Sequence, residues 1–195
     1  MDKRDWGTTY TTQYNGLDMY TSASKAVSGA SASFSAGELD QFDSDAVSVK
    51  VNGVLQTATP TVGADGSLSI TSITDADGSA IANGTYTIVV GFNFTSTLAP
   101  LYTGIEYKGG TTRGQKQGIH KAWVRFKDTL SAKVGQTETD TDPVNFSSNS
   151  ALNNEEAEVW LSNANEYLQT VYVIQDQPQP CTILAMIPEI GGQDA

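Results

Sequence analysis

The chain has one cysteine, Cys181, and one histidine, His120, among 195 residues. A single cysteine excludes an intramolecular disulfide, and together the two supply too few soft ligands for a structural zinc site. A serine-hydrolase triad needs a histidine. His120 lies in a strand pattern between Ile119 and Lys121, and no Gly-x-Ser-x-Gly elbow accompanies it. It reads as a strand residue on the surface or at an interface. Long apolar runs are also missing. The C-terminal one, Cys181 to Ile187, is broken by Thr182 and followed by Pro188, far short of the ~20 residues of a membrane helix. The opening "MDKRDWGTTY" is charged where a secretory segment would be apolar, so no signal peptide is expected. No apolar spacing supports a helix longer than about three turns.

Charged residues are scarce at 17 %, and acids outnumber bases 22 to 11, a net charge of −11. That argues against a nucleic-acid binder whose affinity comes from neutralising phosphates, and equally against docking on anionic lipid. The bases are also segregated. Residues 1–100 hold ten acids and four bases. Residues 101–133 hold seven bases (Lys108, Arg113, Lys116, Lys121, Arg125, Lys127 and Lys133) against Glu106 and Asp128. Residues 134–195 hold ten acids and no base. Two readings of the basic run stand side by side: an outward solvated face, or a face that meets the acidic face of another copy. The second makes Lys108, Arg113, Lys116, Lys121, Arg125 and Lys127, with Glu155, Glu156 and Glu158, candidates for a head-to-tail subunit interface.

What is abundant is strand and turn signal. "AVSVKVNGVLQT" alternates Val47, Val49 and Val51 against Ser48, Lys50 and Asn52. Asn52-Gly53 predicts a two-residue hairpin turn, because both residues accept positive φ. "SLSIT" places Leu68 and Ile70 on one face, and "TYTIVVGFNF" aligns Tyr86, Ile88, Val90, Phe92 and Phe94. "IHKAWVRFKDTL" sets Ala122, Val124 and Phe126 against Lys121, Trp123, Arg125 and Lys127. "YLQTVYVIQ" and "CTILAMIPEI" predict the last two strands, joined through "DQPQP" as a closing hairpin. Tyr172, Ile174, Ile183, Ala185 and Ile187 are its packing residues. In the last strand Cys181, Ile183, Ala185 and Ile187 are expected on one side, Leu184 and Met186 on the other. The predicted class is all-β: antiparallel strands in a sandwich or barrel-like arrangement with only short helical turns. The predicted organisation is a leader with a loosely packed first strand over 1–25, one β-rich half over 26–100 and a second over 101–195, as separate domains or one continuous domain.

Chemistry is expected to be absent. "DADG" (Asp75 to Gly78) resembles half a calcium loop, but position twelve is Tyr86 where the loop needs Glu. "KGGTTRG" lacks the Gly-Lys-Ser/Thr ending of a phosphate loop. The acids of "LDQFDSD" and "NNEEAE" read as solvated turn residues. Asn83, Asn93 and Asn145 sit in glycosylation sequons that carry no meaning without secretion. No catalytic residue, metal or cofactor is expected, and the chain reads as a non-enzyme.

Four segments, in order, resemble a known family. They are "LDMYTSASKAV" with "FSAGELDQFDSDAVSVKVNGVLQ", "GTYTIVVGFNFTSTLAPLY", "TTRGQKQGIHKAWVRFKDTLSAKVG" and "VYVIQDQPQPCTILAMIPEI". Over about 170 residues they resemble the C-terminal, platform part of the tail nozzle, or tail tubular protein B, of short-tailed bacteriophages. The family's chains are several times longer, which implies a small member or one piece of a divided nozzle. The resemblance implies a structural virion protein made in the host cytoplasm. It would form a six-fold ring that extends the DNA-ejection channel below the portal and its adaptor. Implied partners are further copies of itself, the adaptor, other tail proteins and tail fibres. Genomic DNA would pass without specific binding, because an acidic lumen repels phosphates, and no membrane is entered. The alternative reading is a non-enzymatic β-sandwich module of a tail fibre or spike that binds a receptor or glycan, with Trp6, Tyr10, Tyr14 and Tyr20 as its aromatic platform.

Overall fold

A computed structural model describes residues 17–101, 106–107, 110–111, 117–148, 151–161 and 170–192. The chain is all-β, built of antiparallel strands, and its one helical element is a 3-10 turn at Asp40–Phe42 among the described residues. It forms two compact units, Met1–Phe94 with Gln177–Gln179, and Thr95–Asp176 with Pro180–Ala195.

The first unit contains β1 (Asp18–Val27), β2 (Ala32–Phe34), β3 (Ser48–Val51), β4 (Val54–Leu55), β5 (Leu68–Ile70) and β6 (Gly84–Phe92). One sheet runs β1-β6-β3-β4, and β2 pairs with β5. Asn52 and Gly53 have φ of 50° and 85° and join β3 to β4 in the expected two-residue turn, with Val51 opposite Val54. The core gathers Leu39, Phe42, Val49, Val51, Ile88 and Val90, all fully buried, and the Phe42 and Phe92 rings meet edge to face at 5.2 Å.

In β3 the alternation predicts a polar outer face, yet all four residues are buried. Lys50 is 2 % exposed, and its ammonium donates to the Pro178 carbonyl at 3.0 Å. β3 lies between β6 and β4, and Gln177–Gln179, distant in sequence, belongs to this unit. Burial pushes the Lys50 amine down to about 8.

The second unit contains β7 (Ser96–Leu98), β8 (Glu106–Tyr107), β9 (Gly110–Thr111), β10 (Gln117–Lys127), β11 (Lys133–Gly135), β12 (Thr141–Pro143), β13 (Glu156–Trp160), β14 (Tyr172–Gln175) and β15 (Thr182–Gly192). Two sheets, β13-β10-β15 and β12-β11-β14-β7, share one core, and β8 pairs with β9. Ala122, Val124 and Phe126 of β10 point inward with Val134 and Val173 of the facing sheet, as the period-2 pattern predicts. Just before β13, Asn153 is 4 % exposed and ties its own loop to Thr129, the residue it bridges. Its amide donates to the carbonyls of Thr129, Ser148 and Ala151, and its oxygen accepts from the Ser148 amide.

Three expectations are corrected. First, the closing hairpin does not form. β14 pairs with β11 and β7, and β15 pairs with β10, so "DQPQP" crosses from one sheet to the other. Both edges of β14 are occupied, which leaves β15 no place beside it. Tyr172 and Ile174 therefore pack in a different sheet from Ile183, Ala185 and Ile187. Second, β15 does not stop at Pro188, which sits opposite Ala122 within the strand. An edge strand tolerates proline because one set of amides needs no ladder partner. Third, the faces of β15 switch. Arg125 pairs with Ala185 and Phe126 with Ile183, so Leu184 is the extra residue of a β-bulge. Cys181 and Ile183 pack on the core together with Met186, while Ile187 is 51 % exposed.

The boundary between units falls after Phe94, so β7 belongs with the second half, and Gln177–Gln179 with the first. Of the expected leader, residues 1–16 lie outside the described residues, and Asp18 onward forms β1 as a full partner of β6.

Candidate functional site

The strongest surface feature is the outward face of the sheet β13-β10-β15. On β10 the outward row is Lys121, Trp123, Arg125 and Lys127; on β13 it is Glu156, Glu158 and Trp160. The register sets Lys121 opposite Trp160, Trp123 opposite Glu158, and Arg125 opposite Glu156. On the other side Glu189, Ile187 and Ala185 of β15 stand opposite the same three β10 residues. Alternation on each strand brings these rows to one face.

Lys121 is the centre of this face. Its ammonium is 2.9 Å from the Glu158 carboxylate, 4.3 Å from the centre of the Trp123 ring and 4.8 Å from that of Trp160. The two indoles and the carboxylate thus hold one cation. Arg125, Lys127 and Glu156 are exposed and make no ion pair among the described residues. Glu155 precedes β13 and accepts from the Ser147 amide at 2.9 Å. Lys133 pairs with Asp176. Lys108, Arg113 and Lys116 lie outside the described residues.

Sequence reasoning sought the acidic complement of the basic strand on another copy. For Lys121 the complement lies within the chain, because β13, the acidic strand, is hydrogen-bonded beside β10. The residue missed is Trp160, which is 67 % exposed. Its signal was present: Glu156, Glu158 and Trp160 stand two apart, so one β-face must carry all three.

Among the described residues β13 and β15 are the outer strands of this sheet, and a groove runs along each. The groove beside β15 and β7, about 310 Å³, has apolar walls that include Leu98, Leu101, Ile183, Leu184 and Met186. The groove beside β13 and β12, about 340 Å³, carries Asp142, Glu155, Glu156 and Glu158, with Trp160 at its wall.

Asp75 turns its carboxylate on its own loop, accepting from the amides of Asp77 at 3.0 Å and Ser79 at 2.9 Å. His120 is the extra residue of a second bulge, opposite the step from Ile190 to Glu189, and its Nε2 is 3.4 Å from the Glu189 carboxylate. Cys181 is half-buried, and burial pushes its thiol up to about 11. Of the aromatic platform, Tyr20 is 45 % exposed on β1, and Trp6, Tyr10 and Tyr14 lie outside the described residues. Among the described residues no group of three or more His, Cys, Asp or Glu side chains could hold a metal ion, and no helix is long and apolar enough to cross a membrane.

Comparison of the sequence with protein families and with curated proteins finds no match.

Proposed function

We propose that the chain is a structural, non-enzymatic subunit of a bacteriophage tail. Copies of it, six by the resemblance, form a ring that extends the DNA-ejection channel below the portal adaptor and offers docking surface to other tail proteins. The observation that carries this reading is the outward face of β13-β10-β15. It carries both signs of charge and leaves Trp160, Ile187 and Arg125 facing water. A neighbouring copy would cover such apolar side chains and give Arg125 and Lys127 carboxylate partners. The order of the four nozzle-like segments supports the same role. The net charge of −11 suits a channel past which DNA slides without adhering.

Negative-stain electron microscopy of the purified chain tests the reading. Rings with a central channel are expected. Dispersed single particles, even when the portal adaptor is added, count against it.

A receptor- or glycan-binding module is the second reading, favoured by the exposed indole of Trp160. Its ring already carries the Lys121 ammonium, which leaves less of the indole for a sugar. A glycan array without hits would remove this alternative.

A further inference from the structure

We infer that the first unit carries a recognition site for a proline-centred turn, read by Lys50, and that the chain fills this site with its own Gln177–Gln179. The site does not depend on the ring reading. Three observations carry it.

The first is where the segment lies. Gln177–Gln179 belongs to the first unit, although the nearest residue of that unit in sequence is Phe94. Pro178 is buried, between an exposed Gln177 and a half-buried Gln179. A loop held only by its ends runs over the surface with its middle in water. This one turns its middle residue inward.

The second is the bond that meets it. Lys50 lies opposite Val89 of β6 and Leu55 of β4, so the three side chains share one face of the sheet. It is the reverse of the face that packs Val49, Val51, Ile88 and Val90 into the core. On it Ser48 and Val89 are each 8 % exposed, and Lys50 is 2 % exposed. The Lys50 ammonium donates to the Pro178 carbonyl at 3.0 Å, which sets the segment at this face. At pH 7 the amine, near 8, is mainly protonated, so the bond is charge-assisted. A buried ammonium lowers stability relative to an apolar side chain of its length, and the best-attested use of such a group is to fix register.

The third is the shape of what is bound. The Gln179 amide donates to the Gln177 carbonyl at 2.7 Å, which closes a three-residue turn around Pro178. The fixed φ of proline suits the centre of such a turn. The turn uses the Gln177 carbonyl and leaves that of Pro178 to Lys50. Pro180 restricts Gln179 in addition. The turn therefore loses little freedom on binding, and this preorganisation is what lets so short a segment be recognised.

The test uses the full chain, its Lys50→Met and Pro178→Gly variants, and a capped synthetic peptide with the sequence of residues 176–180. Methionine nearly matches lysine in length, and position 178 lies in a loop, so both variants should fold; circular dichroism verifies this. Hydrogen exchange followed by NMR reads single amides. In Lys50→Met the Gln177 and Gln179 amides should exchange about tenfold faster or more, the worth of a hydrogen bond from a charged donor. The Ile88 and Val90 amides of β6 should not speed up. In Pro178→Gly the site is weakly filled. Peptide at about millimolar, the effective concentration of a tethered segment, should slow exchange in β3 and β4 and raise the melting temperature. The wild type, its site occupied, should show neither change, and Pro178→Gly combined with Lys50→Met should show neither. Unchanged exchange at Gln177 and Gln179 in Lys50→Met would overturn the inference. So would a peptide that leaves Pro178→Gly unaffected, or one that acts equally on the wild type.

Discussion

The Lys121 ammonium of β10 is 2.9 Å from the Glu158 carboxylate of β13, an ion pair inside one chain between the basic and the acidic segment. The pair also lies against Trp160 and Trp123. Folding therefore discharges part of the charge segregation before any partner arrives. Glu158→Gln should cost under about 1 kcal/mol of stability, the usual worth of a partly exposed pair. Urea denaturation measures this. A loss above about 2 kcal/mol would show that the pair is a folding element and not part of a surface.

Lys50 gives a pH dependence. Its amine, ordinarily at 10.5, is pushed down to about 8 by burial. Below about pH 8 the folded chain must hold a buried ammonium that the unfolded chain keeps in water, and this lowers stability. Between about 8 and 10.5 the unfolded state binds more protons, so this site's contribution rises with pH. Lys50→Met removes the titrating group. Its stability advantage over the wild type should shrink by up to about 3 kcal/mol between pH 7 and pH 10. A pH-independent difference in urea midpoints would show that Lys50 titrates normally.

Asn153 is a sharper test of the second unit. Its amide feeds three carbonyls and its oxygen takes the Ser148 amide. Asn153→Asp keeps the size and the acceptor but loses the donors, turning a carboxylate toward three carbonyls. We expect a loss of about 2–4 kcal/mol, the cost of buried unsatisfied groups. Thermal unfolding at pH 7 reads it, and an unchanged melting temperature would contradict the described network.

The Cys181 thiol, pushed from 9.0 up to about 11 by burial, should react slowly. Its thiolate population at pH 8 is about a hundredfold below that of an ordinary thiol. Iodoacetamide labelling, followed by mass spectrometry, should be slower by that order in the folded chain than in urea. Equal rates would contradict the burial.

The strands were legible where a single rule governs them. Val49 and Val51, Leu68 and Ile70, and Ala122, Val124 and Phe126 fall on the core faces that alternation assigns. Asn52-Gly53 turns as its φ preference demands. What depends on partners distant in sequence was not legible. The pairing of β14 and β15 with different strands is set by edges already occupied. The bulge at Leu184 moves Met186 onto the core face in a way no periodicity foretells. Lys50 read as a solvent residue because Pro178 is 128 positions away. On the surface, the basic row of β10 was visible in sequence, and its neighbour β13 was not, because strand order is a tertiary property.

The proposed role of this chain is that of a ring-forming structural subunit. Mass photometry at physiological salt, with the wild type beside Arg125→Glu, tests it most directly. The account predicts a closed wild-type species, about 124 kDa for six copies of the 20.7 kDa chain. It predicts that Arg125→Glu, at an exposed position, depletes this species while leaving the folded chain intact. A wild type that remains at the monomer mass, alone and with the portal adaptor, would contradict it.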